Sequence, residues 1–164
     1  MSLLTAINSR LSRWAMYLAC AGLMGLVVTV DYGVTMRYGF NSAPPFVEQA
    51  ALLLVICVAM FGASAGVRDE GHIGVESLVS LLPKKAQYWI GIVVGFITIG
   101  FGALLFYGCT LMAISVQGST IPIVGISESF RYLPPVIAGI LIILFAIEHL
   151  IATFTNKKVV KSWH

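Results

Sequence analysis

Four long apolar stretches constrain this sequence more than any other feature. They occupy residues 14–35, 46–66, 88–116 and 133–155. The hydrocarbon core of a bilayer is about 30 Å thick, and a helix crosses it in about 20 residues. The composition agrees, because 59% of the residues are apolar and 10% are charged, against roughly one half and one quarter in soluble domains. The sequence therefore predicts an all-α integral membrane protein with four transmembrane helices.

The four stretches and their short connections take up nearly all of the 164 residues. We therefore expect a single membrane domain, 1–164, and not an enzyme. Cys20, Cys57 and Cys109 each lie inside a predicted span without a CxxC spacing, which argues against disulfides and against a thiol oxidoreductase. Haem would need histidines on facing helices, and only His149 comes near a span. No metal and no cofactor is expected.

Basic residues indicate the orientation of the spans, because short loops rich in Lys and Arg stay in the cytoplasm. With the N-terminus inside, these basic residues are cytoplasmic: Arg10, Arg13, Arg68, Lys84, Lys85, Lys157, Lys158 and Lys161. Only Arg37 and Arg131 then face outward. The pattern predicts that both termini are cytoplasmic. The net charge of +3 is thus a topology signal, and nucleic acid is not an expected partner.

Two further stretches have the apolar spacing of a helix that lies on the membrane surface. Their apolar residues are Leu3, Leu4, Ile7 and Leu11 within 1–13, and Val75, Leu78, Val79 and Leu82 between spans 2 and 3. Pro83 ends the second stretch. We predict an N-terminal amphipathic interfacial helix and a short interfacial helix between spans 2 and 3. A solvated tail is the alternative for the first.

Charged residues are missing near the middle of the predicted spans, where a transporter that acts alone would bind ions or substrate. Asp31, Glu48 and Glu148 all lie within about two helical turns of a span end. We expect water or lipid headgroups to reach these carboxylates there. The sequence therefore favours a passive structural element of a membrane complex.

Two glycine pairs in the spans have the four-residue spacing of small residues that allows helices to approach closely in lipid. They are Gly62 with Gly66 and Gly91 with Gly95. Two interpretations remain open. These glycines pack the four helices of the chain against one another, or they contact a larger membrane subunit.

Several short motifs resemble those of one transporter family, in the same order and on the corresponding sides of the membrane. They are "RYGFN" (Arg37, Tyr38 and on to Asn41), Glu48, Gly62, Arg68, "GHIGVE" from Gly71 to Glu76 with His72 in it, and "LLP" ending at Pro83. A weaker similarity continues through "GISESFRYLPPVIAG", which contains Arg131. Over most of its length the chain resembles the small membrane subunit of tripartite ATP-independent periplasmic (TRAP) transporters.

This resemblance implies partners and a role. A large multispan transporter subunit would carry the substrate and sodium sites, and a periplasmic substrate-binding protein would deliver the substrate. This chain, surrounded by membrane lipids in the bacterial inner membrane, would be a noncatalytic scaffold against which the large subunit moves as an elevator. Sodium would bind to the partner subunit, not to this chain. Such families import organic acids, including four-carbon dicarboxylates and sialic acids, and a sialic acid is the one we favour.

The outward charges are candidate structural or interface residues. Arg37 and Glu48 flank a short hairpin and are placed to form an internal ion pair. In the alternative interpretation, Arg37, Asn41 or Arg131 contacts the binding protein, the large subunit or the substrate itself. Each of these interpretations remains open on the sequence.

The inward charges and the polar residues of the spans leave two further questions. Residues 68–72, which include Arg68 and His72, form either a solvated cluster that caps the second span or a lock onto the partner. A self-sufficient four-span homo-oligomeric carrier or channel is the second class of function. The residues that would line its path are Thr29, Thr98, Ser115 and Glu148. The scaffold hypothesis predicts instead that the chain co-purifies with a large membrane protein.

Overall fold

A computed structural model of the chain describes residues 2–42, 44–69, 82–120 and 127–155. Its helices are α1 (Ser2–Gly39), α2 (Pro45–Arg68), α3 (Lys84–Ser115), a 3₁₀ helix (Glu128–Tyr132) and α4 (Leu133–Phe154). Each of the four α-helices makes up most or all of a segment that is long and apolar enough to cross a membrane. The prediction of an all-α protein with four spans is therefore confirmed. The orientation of those spans stays a prediction.

Prolines mark where several helices begin. Pro45 lies at the start of α2, Pro83 directly precedes α3, and Pro134 and Pro135 lie in the first turn of α4. A proline is tolerated there because the first turn of a helix has no intrahelical acceptor for its N–H groups. After α1, Asn41 adopts a left-handed conformation with φ of 50°, which helps to turn the chain toward α2. Helix ends therefore follow local sequence signals.

The first helix differs from the prediction at its beginning. The sequence predicted a separate surface helix over 1–13 and a span from Trp14, whereas α1 is continuous over 38 residues, Ser2–Gly39. No proline or glycine lies between residues 2 and 21, so nothing in that stretch interrupts the backbone hydrogen bonds. The other helix ends lie within four residues of the predicted limits. The surface helix predicted between spans 2 and 3 falls almost wholly outside the described residues.

The four helices form two hairpins. Helix α1 packs mainly on α2, α3 packs mainly on α4, and the two hairpins meet chiefly where α2 contacts α4. Helix α4 is the most buried of the four and contributes Phe145, which is completely buried. Ala15 of α1 and Ala65 of α2 lie in the same apolar cluster. The core is therefore centred on α4, and large parts of α1 and α3 remain exposed.

Close helix packing occurs at several of the glycines. A Cβ atom added to Gly95 would lie 2.8 Å from Leu150, and one added to Gly91 would lie 3.5 Å from Thr153. Both glycines therefore pack α3 against α4, in agreement with the first of the two interpretations. Gly62 and Gly66 have no such neighbour within 4 Å in the described part of the chain. For that pair, the structure offers no internal packing role.

Candidate functional site

Polar side chains gather at the two ends of the helical bundle. Asn8 and Arg37 lie near opposite ends of α1, separated by about 44 Å of helix. A bilayer measures about 40–45 Å between the outer limits of its headgroup regions. This distance matches two polar regions at headgroup depth on opposite faces of a membrane, with the helix segments between them long enough to cross the hydrocarbon core.

The buried cluster, which we define as Asn8, Arg68, Glu148 and His149, joins three helices at one end. Nε of Arg68 lies 3.4 Å from Oε2 of Glu148, and Nδ2 of Asn8 donates a hydrogen bond of 2.8 Å to the same oxygen. The side chains of Arg68 and Glu148 are 0% and 5% exposed. Nε2 of His149 lies 2.8 Å from the backbone oxygen of Arg68. The cluster thereby connects α1, α2 and α4 through polar contacts.

The guanidinium of Arg68 makes additional contacts at the edge of this cluster. It donates through Nη2 to the backbone oxygen of Thr5 at 3.4 Å, and Nη1 lies 3.5 Å from Oδ1 of Asp69. Oε1 of Glu148 is also buried and has no hydrogen-bond partner among the described residues. The Glu148 carboxylate therefore depends on Arg68 and Asn8, which both contact Oε2, for compensation of its charge.

The predicted exposure of Glu148 is wrong. Water or headgroups were expected to reach Glu148, but the residue is 4% exposed because α1 and α2 cover it. Of the two interpretations of residues 68–72, the solvated cluster does not fit Arg68, whose side chain points into the bundle and pairs with α4. A lock onto the partner by this segment stays a prediction. His72 and Glu70 lie outside the described residues. Asn8 was missed, although an asparagine on the apolar side of a predicted helix was a usable signal.

The Arg37 end is much more open. Nη2 of Arg37 lies 3.8 Å from Oε1 of Glu48, and their side chains are 60% and 80% exposed. The two charges thus lie close to each other, as the interpretation of an internal ion pair expects. Surface ion pairs of this kind contribute only about 0–1 kcal/mol to the stability of a protein. Tyr38 beside them is 83% exposed. These side chains can still reach a lipid or a partner.

Arg131 lies at the same end and is partly buried. Its Nη2 donates to Oε1 of Gln49 at 2.7 Å, and its Nη1 lies 3.3 Å from Oε1 of Glu128. The side chain is 22% exposed, since it bridges the 3₁₀ helix and α2. Contact of Arg131 with a partner stays a prediction, and the part of the side chain that is still exposed is where such a contact would form. The role of Gln49 was missed, because it lies 82 positions away in the sequence.

Hydroxyl groups inside the spans are bonded to their own helices. Thr29 donates to the backbone oxygen of Gly25 at 2.7 Å, Thr98 to that of Val94 at 2.8 Å, and Ser115 to that of Leu111 at 2.9 Å. Side chains that satisfy the backbone of their own helix present little polarity to a path through the membrane. Within the described ranges, no group of three or more His, Cys, Asp and Glu residues could hold a metal ion.

A chain with four helices that are long and apolar enough to cross a membrane, joined by buried charges, falls in the class of multispan membrane proteins. Comparison with known proteins narrows the class to one family. The model of the family described as "Tripartite ATP-independent periplasmic transporters, DctQ component" matches residues 24–156. The chain belongs to this family.

Individual relatives agree with the family match. A Haemophilus influenzae protein named as a TRAP transporter small permease protein is 29% identical over 140 residues, which cover 85% of this chain and 87% of that protein. A second one from the same organism is 25% identical, with 76% and 75% covered. The C4-dicarboxylate TRAP transporter small permease protein DctQ of Vibrio cholerae is 28% identical over 89 residues, which cover 54% of this chain and 38% of that protein.

The family defines the general role of the chain. It is the small permease subunit of a TRAP transporter, and it resides in the inner membrane as a protein with several spans. It is a component of a transporter and not an enzyme. The resemblance found in the motifs from Arg37 to Pro83 is thus confirmed at the level of the family.

Proposed function

We propose that this chain is the noncatalytic scaffold subunit of a sodium-coupled transporter that imports an organic acid. A large multispan subunit binds sodium and substrate and moves as an elevator against the scaffold. A periplasmic binding protein delivers the substrate. These partner roles are what membership of the family implies.

One observation carries the proposal. The polar side chains that could have lined a path through this chain alone are already engaged: the hydroxyls of Thr29, Thr98 and Ser115 bond to their own helices, and Glu148 contacts Arg68 and Asn8. A path along these residues would leave buried polar groups without partners, which costs several kcal/mol in a membrane. The chain is therefore suited to supporting a transport subunit rather than to binding the substrate.

The exposed apolar surface supports the same role. Large side chains of α1 and α3 are mostly exposed, for example Met24 at 70% and Leu104 at 72%. In the membrane, lipid or the apolar surface of the large subunit covers them. A subunit that adds four spans to one side of a larger protein increases the area that must move when the assembly tilts or sinks. The scaffold therefore stays in place in the bilayer while the transport domain of the large subunit moves relative to it.

The substrate is an organic acid, and two classes are to be tested. The Vibrio cholerae relative is named for C4-dicarboxylates, but it matches only 54% of this chain. A sialic acid is the class that we favour. The residues that discriminate between the two belong to the large subunit and the binding protein, so the uptake assay must include both.

Reconstitution into liposomes tests the proposal. Four preparations are compared: this chain alone, the large subunit alone, both subunits, and both subunits with the binding protein under an inward sodium gradient. Uptake of radiolabelled sialic acid and of a four-carbon dicarboxylate is measured. We expect uptake of one of them only in the last preparation. Uptake by this chain alone would establish the self-sufficient carrier instead, and uptake without a sodium gradient would contradict the proposed coupling.

A further inference from the structure

A groove opens on the surface between α1 and α2 at the Arg37 end of the bundle. Its volume is about 450 Å³. Apolar residues form its walls, and they include Val30, Gly33, Val34, Val47 and Ala51. Arg37, Tyr38 and Glu48 also line it. The groove thus combines an apolar surface with one positive and one negative charge.

The dimensions of the groove match the upper part of a lipid molecule. Val30 and Arg37 lie on the same helix, about 10 Å apart along its axis. Arg37 is close to the end of α1, and Glu48 lies in the first turn of α2. The charges therefore lie near the headgroups, and the wall that contains Val30 reaches down toward the acyl chains.

The charged pair retains much of its capacity for hydrogen bonds. The contact between Nη2 of Arg37 and Oε1 of Glu48 is 3.8 Å long, and both side chains are mostly exposed. A guanidinium has five N–H donors, and a carboxylate accepts through two oxygens. A zwitterionic headgroup that carries a phosphate and a primary ammonium complements this pair, since each of its charges meets the opposite one.

We propose that the groove binds a phospholipid of the phosphatidylethanolamine type. The lipid phosphate contacts Arg37, the ammonium donates hydrogen bonds to Glu48, and one acyl chain lies along Val30 and Val34. A choline headgroup lacks N–H donors for the carboxylate. An anionic glycerol headgroup places its negative charge near Glu48 without an ammonium to compensate it. Arg37 and Glu48 together therefore discriminate between headgroups, whereas a basic residue alone would attract any anionic lipid.

Native mass spectrometry of the purified full chain tests this site. The chain is released from detergent in the presence of equal amounts of phosphatidylethanolamine, phosphatidylglycerol and phosphatidylcholine, and retained lipid is counted. The variants are Arg37→Gln and Glu48→Gln, and Arg13→Gln is the matched control, an exposed arginine on the same helix. We expect the unmodified chain and the control to retain phosphatidylethanolamine preferentially.

The two variants are expected to change lipid retention in different ways. Arg37→Gln lowers retention of phosphatidylethanolamine about fivefold, the effect of one charge near a lipid surface. Glu48→Gln lowers retention of phosphatidylethanolamine, because the acceptor for its ammonium is lost. The same change raises retention of phosphatidylglycerol, because the repulsion between its negative charge and the Glu48 carboxylate is removed. If the pair only stabilises the fold, both variants would lower retention of all three lipids together, which would contradict the proposal. Equal retention of the three lipids by the unmodified chain would overturn the proposal.

A third variant tests the apolar part of the groove without changing a charge. Val34 is 50% exposed and lines the groove, so Val34→Trp should fill the space of the acyl chain. We expect this variant to lose phosphatidylethanolamine while its helical circular dichroism stays unchanged. Full retention of the lipid by a folded Val34→Trp chain would contradict the proposed position of the acyl chain.

Discussion

Arg68 ends α2, yet its side chain has no exposed surface. Burial of a charge is costly unless an opposite charge and hydrogen bonds compensate it. Glu148 on α4 and the backbone oxygen of Thr5 on α1 supply that compensation. Beside the neighbouring Asp69, two partners come from other helices, so the charge is fully compensated only when α1, α2 and α4 are all in place. Burial of Arg68 is therefore coupled to the packing of α1, α2 and α4 against one another.

Replacement of Arg68 or Glu148 tests this coupling. Arg68→Met and Glu148→Leu should each destabilise the purified chain by about 3–5 kcal/mol, because each removes one partner of the buried ion pair between α2 and α4. The double variant should lose less than the sum of the single variants, since both charges are removed together. Thermal unfolding in detergent measures these changes.

An exposed arginine serves as the control for this series. Arg13→Met, on α1, should change stability by no more than about 0.5 kcal/mol, because Arg13 is exposed. Losses that add fully in the Arg68→Met and Glu148→Leu double variant would show that the two side chains stabilise the bundle independently.

The contact between α3 and α4 shows how glycines act at the level of helices. A Cβ atom added to Gly102 would lie 3.1 Å from the backbone oxygen of Gly139, and one added to Gly139 would lie 3.0 Å from the backbone nitrogen of Phe106. Backbone atoms cannot move aside as a flexible side chain does. The two helices therefore approach closely only because these positions have no side chain.

Substitution within α3 tests this crossing. Gly102→Leu should destabilise the chain by about 1–3 kcal/mol or more, because the new side chain forces α3 away from α4. Gly100→Leu is the matched control, two positions away on the same helix, with nothing within 4 Å among the described residues. Thermal unfolding and elution volume in size-exclusion chromatography distinguish the variants. Equal stability of the two would contradict the close crossing.

The whole molecule is a pair of hairpins with its polar groups at the two ends. Arg37 and Arg131 lie at one end, and Arg68 lies at the other, in agreement with the sides that the charge pattern assigns to them. The direction in which the spans cross the membrane is predicted from the distribution of basic residues. That distribution predicts cytoplasmic termini.

Cysteine labelling in intact cells tests the orientation. The native Cys20, Cys57 and Cys109 are free and are first replaced by Ala. Ser42→Cys and Lys84→Cys then place single thiols at exposed positions next to opposite ends of the spans. A membrane-impermeant maleimide should label the cysteine at position 42 in intact cells, and the one at position 84 only after permeabilisation. The reverse labelling pattern would show that the predicted orientation of the spans is wrong.

The sequence by itself determined the number of spans, most of their limits and the family, because hydropathy, prolines and short motifs are local properties of the chain. It did not predict which polar groups meet. Asn8 and Glu148 are 140 positions apart, and Gln49 and Arg131 are 82 positions apart. Only the packing of the helices brings such residues together. For the same reason, Glu148 and Arg68 were expected near water, whereas the tertiary structure buries both where α1, α2 and α4 meet.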